Sequence, residues 1–464
     1  MKKSLFSLVA ISVLFSNVYA DDISDMKAEI QALTQKISKL EKKQKHNTKK
    51  ISHINKLANN DNLKFNVDLR TSYDYISYKL ASGKTVKNDG LYANRLWLNM
   101  GYAPTKDIIF KGQLAFNKAF GADGSVIGQR GAGYDTSDWV TNEALTGDEL
   151  KVRQAYVIWM PTLNDRGYVF SFGRRPATNG YLVNLREDDK AQSPIGHIIN
   201  MEFDGFSATV KTDDLAEGSY FKVCAGRGLT NAKPMFTPDG QTYAKDTTKL
   251  DNMDLVGAIA QLYNDGQYSA MATYFRVFNA MGAVDTNGTL ATVGDMDGAA
   301  ISAMSDGIGD GISDFLDDTK IFASFAWSKS LPDNGKQLFG TTDSKTGTSI
   351  YIGTQMPNLT GGKFGLEYNH GSKYWRSFTY GEDTMIGSKL AVRGDAYEAY
   401  WTQPLVKNII SMQIRYTYMD YKYTGSNGFF GIGGAPMTMS EAITAGQDPV
   451  SKAQDVRVYL RYKY

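Results

Sequence analysis

From Asn62 to the terminal Tyr464 apolar and polar side chains alternate at every second position, in segment after segment. Successive residues of a strand point to opposite faces of the pleat, whereas a helix repeats at 3.6, so this period selects sheet. The last segment is the clearest case. Val456, Val458, Leu460, Tyr462 and Tyr464 share one face, and Arg457, Tyr459, Arg461 and Lys463 share the other. At the start of the pattern Phe65, Val67, Leu69, Thr71, Tyr73 and Tyr75 oppose Asn66, Asp68, Arg70, Ser72 and Asp74, and Leu96, Leu98, Met100 and Tyr102 oppose Arg95, Trp97 and Asn99. Tyr168-Phe170-Phe172, Phe221-Val223-Ala225, Phe275-Val277, Phe364-Leu366-Tyr368 and the stretch from Ile410 to Tyr418 read as further apolar faces. Composition agrees, since 45 Gly, 28 Tyr and 12% aromatic residues favour strands over helices. A mean hydropathy of -0.35 looks soluble. It fits equally a chain whose apolar residues occupy alternate positions on a lipid-facing surface.

The connections also alternate, short then long. Short ones are "APTKD" (103–107), "PTLNDRG" (161–167), "NDGQ" (264–267), "PNLTGG" (357–362) and "PLVKN" (404–408), all rich in turn formers. Between them lie long stretches at 118–148, 174–201, 280–318 and 422–454. A sandwich has no reason to collect its long loops at one end, whereas a membrane barrel has short turns on one side and long loops on the other. Counting strands with every short turn after an even-numbered one requires a weak strand at 336–341 and closes at about sixteen, an even number as single-chain bacterial barrels have.

The first sixty residues follow other rules. Lys2 and Lys3, an apolar run from Leu5 to Phe15 and Val18-Tyr19-Ala20 form a secretory signal peptide over residues 1–20. From Ile23 to Ala58 the apolar positions step by three and four over about five heptads without Pro or Gly, which predicts a coiled-coil helix over residues 21–60 with polar Gln44 and Asn47 in its seam. Such a helix needs partners. Residues 61–464 then form the barrel. The single Cys224 can make no intramolecular disulfide in the exported protein.

The terminal aromatic Tyr464 resembles the C-terminal residue by which outer-membrane assembly machinery recognises barrels, usually Phe. Over its full mature length the chain resembles a bacterial outer-membrane porin with a periplasmic coiled-coil extension, and is most similar to a porin-like family known as domain of unknown function 3373. The expected fold is therefore all-β: a transmembrane antiparallel barrel of about sixteen strands. The resemblance implies pore formation and names no solute. It also implies a Gram-negative outer membrane, contact with its lipid, the helix in the periplasm and a homotrimer held by the coiled coil.

A sixteen-stranded barrel is wide enough for a water-filled lumen. Alternation assigns Arg70, Arg95, Lys111, Arg153, Arg276, Arg415, Arg457 and Arg461 to that lumen, with Lys151, Lys222, Lys363 and Lys463, against Asp68, Asp74, Glu367 and Glu398. The inward balance is basic although residues 61–464 carry 40 basic against 44 acidic residues. A cationic wall concentrates anions, so mild anion preference for small hydrophilic solutes or ions is expected, with an unselective pore the alternative. The loop after the fifth strand, 173–197, is the candidate constriction, as an inward-folded loop is in the porins this chain resembles. Arg174, Arg175 and Arg186 there stand beside Glu187, Asp188 and Asp189.

Other signals are weaker. Asp295, Asp297, Asp306, Asp310, Asp314, Asp317 and Asp318 are oxygen ligands suited to Ca²⁺, but their spacing does not match an EF-hand, and a solvated external loop is the expectation, with no metal. "GADGSVIGQRGAG" (121–133) lacks the ending of a phosphate loop. No catalytic motif, cofactor site or nucleic-acid signature stands out. Two other functions fit the long loops: a surface adhesin or structural barrel, and a barrel hydrolase using His197 or His370 with a serine.

Overall fold

The computed structural model describes residues 63–464 apart from 122–144, 146–148, 165, 177, 201, 248–249, 310, 380–383 and 427–429. The signal peptide and coiled coil expected over residues 1–60, and the glycine-rich stretch 121–133 but for Gly121, lie outside the described residues. Sixteen long antiparallel strands form one closed sheet. They are β1 (Lys64–Leu80), β2 (Thr85–Thr105), β3 (Ile108–Ala119), β4 (Lys151–Trp159), β5 (Arg166–Arg175), β6 (Phe203–Lys211), β7 (Tyr220–Leu229) and β8 (Met253–Asn264). The circle continues through β9 (Tyr268–Ala283), β10 (Leu290–Asp306), β11 (Lys320–Pro332), β12 (Thr346–Pro357), β13 (Lys363–Gly371), β14 (Gly394–Val406), β15 (Ile410–Tyr421) and β16 (Val450–Lys463).

The last strand closes on the first. Arg70 lies opposite Arg461, Tyr73 opposite Val458 and Asp74 opposite Arg457. Closure leaves no unpaired edge, which a sheet surrounded by hydrocarbon requires. Even-numbered strands up to β14 are followed by the shorter connections, such as 106–107, 265–267, 358–362 and 407–409. The opposite end carries 120–150, 176–202, 230–252, 372–393 and 422–449.

The outer surface is apolar between two aromatic girdles. Near the turn end, Phe65, Tyr102, Trp159, Phe221, Tyr268 and Tyr462 are exposed. Near the loop end Tyr73 and Tyr92 stand 5.2 Å apart, and Tyr368 and Tyr397 5.1 Å apart. Exposed Leu69, Ile301, Phe325, Ile352, Leu366 and Leu460 lie between them. Aromatic rings flanking an apolar band are the surface of a barrel that sits in a bilayer.

Three expectations need correction. Residues 290–306 are a strand, not part of a long external loop, and Asp306 sits at its turn-side end. The alternation was hidden because small residues carry it: Ala299 and Ala303 face outward, while Gly298, Ala300 and Ser302 face inward. Residues 336–341 make no strand, only a bridge between Leu338 and Thr341 in a loop. Phe275 and Val277 face inward, not toward lipid, and are completely or almost completely buried.

The inward turn of Phe275 and Val277 has a physical cause. The interior beside β8 to β12 is filled by loops that bring their own apolar side chains. Leu182, Ile195, Ile198 and Ile199 from 176–202, Trp375, Phe378 and Leu390 from 372–393, and Phe430 pack against Leu255, Phe275, Met296, Phe322 and Tyr351 of the wall. Phe275 meets Phe378 edge to face at 5.5 Å. Gly298, opposite Phe275 in the sheet, leaves room for that ring, since a Cβ there would collide with it. One side of the lumen is therefore a hydrophobic core, and the remaining side is charged.

Candidate functional site: a charged wall beside an inward-folded loop

The loop 176–202 crosses to the charged side through a short 3-10 helix, Val183–Glu187, all of it buried. Wall side chains bind its backbone: Gln355 Nε2 donates to Leu185 O at 2.6 Å, Gln413 Nε2 to Arg186 O at 3.0 Å and Arg461 Nη1 to Glu187 O at 2.9 Å. A loop held by three strands through its carbonyls is a fixed element rather than a trailing one.

Side chains complete the contact. Arg186 pairs with Glu398 at 3.0 Å, and Lys389 from the second inserted loop meets the same carboxylate at 2.5 Å and also pairs with Glu367. Glu187 accepts from Tyr459 Oη at 2.8 Å, with Arg415 and Arg461 at 3.5 Å and Arg70 at 4.0 Å. Asp189 pairs with Arg461 at 3.0 Å and with Lys463, while Asp188 pairs with Lys363. Across the wall Arg457 holds Asp74 at 2.5 Å, and Asp68 is shared by Arg461 at 2.5 Å and Arg95 at 3.5 Å. Arg153 reaches Glu202 at 3.3 Å and donates to Thr178 Oγ1 at 2.9 Å. Buried charges at this density persist only when each is matched, because removing one partner leaves the other desolvated and uncompensated.

Of the residues assigned to the lumen by alternation, Arg70, Arg95, Arg153, Arg415, Arg457 and Arg461 converge in this network, and Lys111 lies on the same inward face near Lys190. Arg276 does not join them. It stands on the outer face, bound to Asp297 at 2.7 Å, because inward Phe275 and Val277 put their neighbour outside. Within the loop segment, Arg186, Glu187 and Asp189 face the charged wall. Arg174 does not: it closes β5 on the outer face, donating to Val152 O at 3.1 Å, with Asp204 3.7 Å away. Arg175 points inward on the other side, its Nε 2.6 Å from Ser171 Oγ.

Alternation also missed Glu202, which meets Arg153, Lys389, which joins the Glu367 and Glu398 carboxylates, and Asp455, which is buried on the inward face. Asp455 stood in plain view two residues before Arg457. Lys389 lies in 372–393, whose length and aromatic content were its one signal as an inserted segment.

Two cavities frame the network. A small one, about 40 Å³, lies between wall residues Arg70, Arg95 and Arg153 and loop residues Arg186, Glu187 and Asp189. A vestibule of about 910 Å³ opens at the turn end, lined by Lys320, Lys363, Lys463, Asp188 and Asp306 among others.

His197 is sealed in the apolar side, Nδ1 2.8 Å from Ser324 Oγ and Nε2 2.9 Å from Ser349 Oγ, and burial pushes its imidazole down to about 3. His370 is on the outer face, 2.8 Å from Asp395. The acidic stretch disperses, with Asp297 bound to Arg276 and Asp306 to Lys320 at 2.5 Å, and no group of three metal-ligating side chains occurs among the described residues.

A family model described as "Protein of unknown function (DUF3373)" matches residues 85–464. The chain belongs to that family. No curated protein matches this DUF3373 sequence. Among solved structures the chain is similar to OmpF of Salmonella typhi in complex with daunomycin (12% identity, 88% of this chain and 99% of that one, TM-score 0.47). It is also similar to an anion-selective porin from Comamonas acidovorans (12%, 87% and 99%, TM-score 0.46) and to OmpT, an outer membrane protein of Vibrio cholerae (13%, 87% and 97%, TM-score 0.44).

Proposed function

We propose that this porin-like barrel is a passive diffusion channel for small hydrophilic solutes or ions in the outer membrane of a Gram-negative bacterium, with a mild preference for anions. The observation that carries the reading is the division of the lumen. One side is sealed by packed apolar loops, and the other holds the arginine wall, the loop 176–202 and a wide polar vestibule, so any aqueous path runs past the arginines. Anion preference follows from guanidinium groups in a narrow low-dielectric passage, where charge acts with little screening. In this reading residues 1–20 direct export, and the helix 21–60 stands in the periplasm and holds three barrels together. Arg70, Arg95, Lys111, Arg153, Arg415, Arg457 and Arg461 line or support the path, and Arg186, Glu187, Asp188 and Asp189 form its narrow side.

The packed apolar side of the lumen favours a second reading, a surface or structural barrel that conducts nothing and acts through its long loops. Swelling of protein-containing liposomes in isosmotic small sugars separates the two. A channel admits the sugar and the liposomes swell at a rate that falls with solute size, whereas a sealed barrel leaves them unchanged.

A further inference from the structure

The small cavity between the arginine wall and the loop has a composition that a general water path does not need. Four guanidinium groups line it, from Arg70, Arg95, Arg153 and Arg186, against the two carboxylates of Glu187 and Asp189. Those carboxylates are already claimed from outside the cavity: Asp189 by Arg461 and Lys463, and Glu187 by the Tyr459 hydroxyl and Arg415. The guanidinium groups are shared as well, Arg95 with Asp68, Arg153 with Glu202, Arg186 with Glu398 and Arg70 with Glu187, so carboxylates behind the lining offset part of its surplus of two guanidinium groups.

Trp97 supplies a second, independent feature. Its indole lines the cavity, with the Arg95 guanidinium 3.6 Å and the Arg153 guanidinium 4.4 Å from the ring centroid. Stacking on an indole fixes the plane of a guanidinium and so the direction of its N–H fork. The indole Nε1–H itself is buried and meets no acceptor among the described residues. A buried donor without an acceptor is costly, and tryptophan at a purely structural position normally has one. Asn117, beside Arg95 in the sheet, adds an amide to the lining. The volume, about 40 Å³, admits roughly three waters at about 10–15 Å³ each, which suits a small oxyanion and is too small for a sugar or a nucleotide.

We propose that this cavity is a binding station for a small divalent oxyanion of the phosphate class, held by the Arg70, Arg95 and Arg153 guanidinium groups and the Trp97 N–H. Planar guanidinium forks match oxyanion geometry in a way that a spherical halide cannot use. The station rests on the channel reading for its biological meaning, since it would set which anions linger in the passage, but its binding chemistry stands apart from conduction.

The test is a titration of the full-length protein in mild detergent with inorganic phosphate, read by tryptophan fluorescence, with potassium chloride at matched ionic strength as comparator. A saturable change should appear with phosphate and with sulfate, be absent with chloride, and vanish in Trp97→Phe. Arg70→Gln should raise the apparent dissociation constant about tenfold or more, the worth of one charge-assisted contact. If Trp97→Phe does not fold, calorimetric titration of the wild type and Arg70→Gln carries the same comparison. A wild type without a saturable response, a response retained in Trp97→Phe, or one reproduced by chloride overturns the station. Ohmic conductance without phosphate binding would sink the station alone, and phosphate binding by a barrel that does not conduct would support it while sinking the channel.

Discussion

Gly298→Leu and Ala299→Leu are adjacent changes of nearly the same size that should move stability in opposite directions. Gly298 faces the interior, where the Phe275 ring lies over it and Ile198 Cδ1 would stand 3.1 Å from an added Cβ. There is no space for four carbons, so the side chain must displace Phe275 from its contact with Phe378, and overpacking of that kind costs about 1–3 kcal/mol. Ala299 is on the outer face, opposite exposed Tyr274 in the neighbouring strand. Three added carbons at about 0.8 kcal/mol each, partly shielded by neighbours, should stabilise insertion by about 1–2 kcal/mol. Reversible urea unfolding in lipid vesicles reads both changes. Combining Gly298→Leu with Phe275→Ala should recover part of the loss, because the two positions share one space and their effects cannot add. A stabilising Gly298→Leu or a destabilising Ala299→Leu would refute the face assignment of β10, and with it the claim that β8 to β12 enclose an apolar interior.

Leu460→Arg should cost about 2–4 kcal/mol in the same assay if it lies near the bilayer midplane. Arg461→Gln should also destabilise, by about 3–5 kcal/mol, since it strands Asp68 and Asp189 in the interior, and a tolerated Arg461→Gln would show that the network is solvated instead. His197 has its pKa depressed from 6.5 to about 3, so the docked loop refuses a proton that the released loop accepts. Its docking is fully stable above about pH 6.5 and loses roughly 2–3 kcal/mol by pH 4.5. Hydrogen exchange of amides 179–200 should show this loss, and His197→Gln should abolish the pH dependence; equal protection of the wild type at pH 7.5 and 4.5 would contradict it. Deleting 21–60 from the mature chain should leave a folded barrel that sediments as a monomer in mild detergent, while the intact chain sediments as a trimer.

The barrel was legible in the sequence because closure against lipid imposes one rule on every strand, and β1, β2, β13, β15 and β16 obey it with bulky side chains. Where a strand met protein instead of water on its inner side the rule changed. Phe275 and Val277 carry an apolar pattern indistinguishable from a lipid-facing one, and only their contacts with 176–202 and 372–393 reverse its direction. That reversal also displaced Arg276 from the lumen. In β10 the signal was weak for a related reason, since Gly298 and Ala300 are small to make room for Phe275 and the inserted loops. Arginines of the wall and several of their carboxylates were visible one strand at a time, but which group meets which was not. Glu187 gathers groups from β1, β15 and β16, and Glu398 binds a residue from each inserted loop, pairings between positions up to some 270 residues apart that no local pattern encodes.

Whether ions cross the barrel past the arginine wall is read from the reversal potential of the full-length protein in a planar bilayer under a KCl gradient. The channels should be ohmic, with a reversal potential of the sign of anion preference that weakens with rising salt and in Arg70→Gln. Insertion without conductance, or a cation preference that Arg70→Gln leaves unchanged, would mean that the arginine wall does not line an anion path.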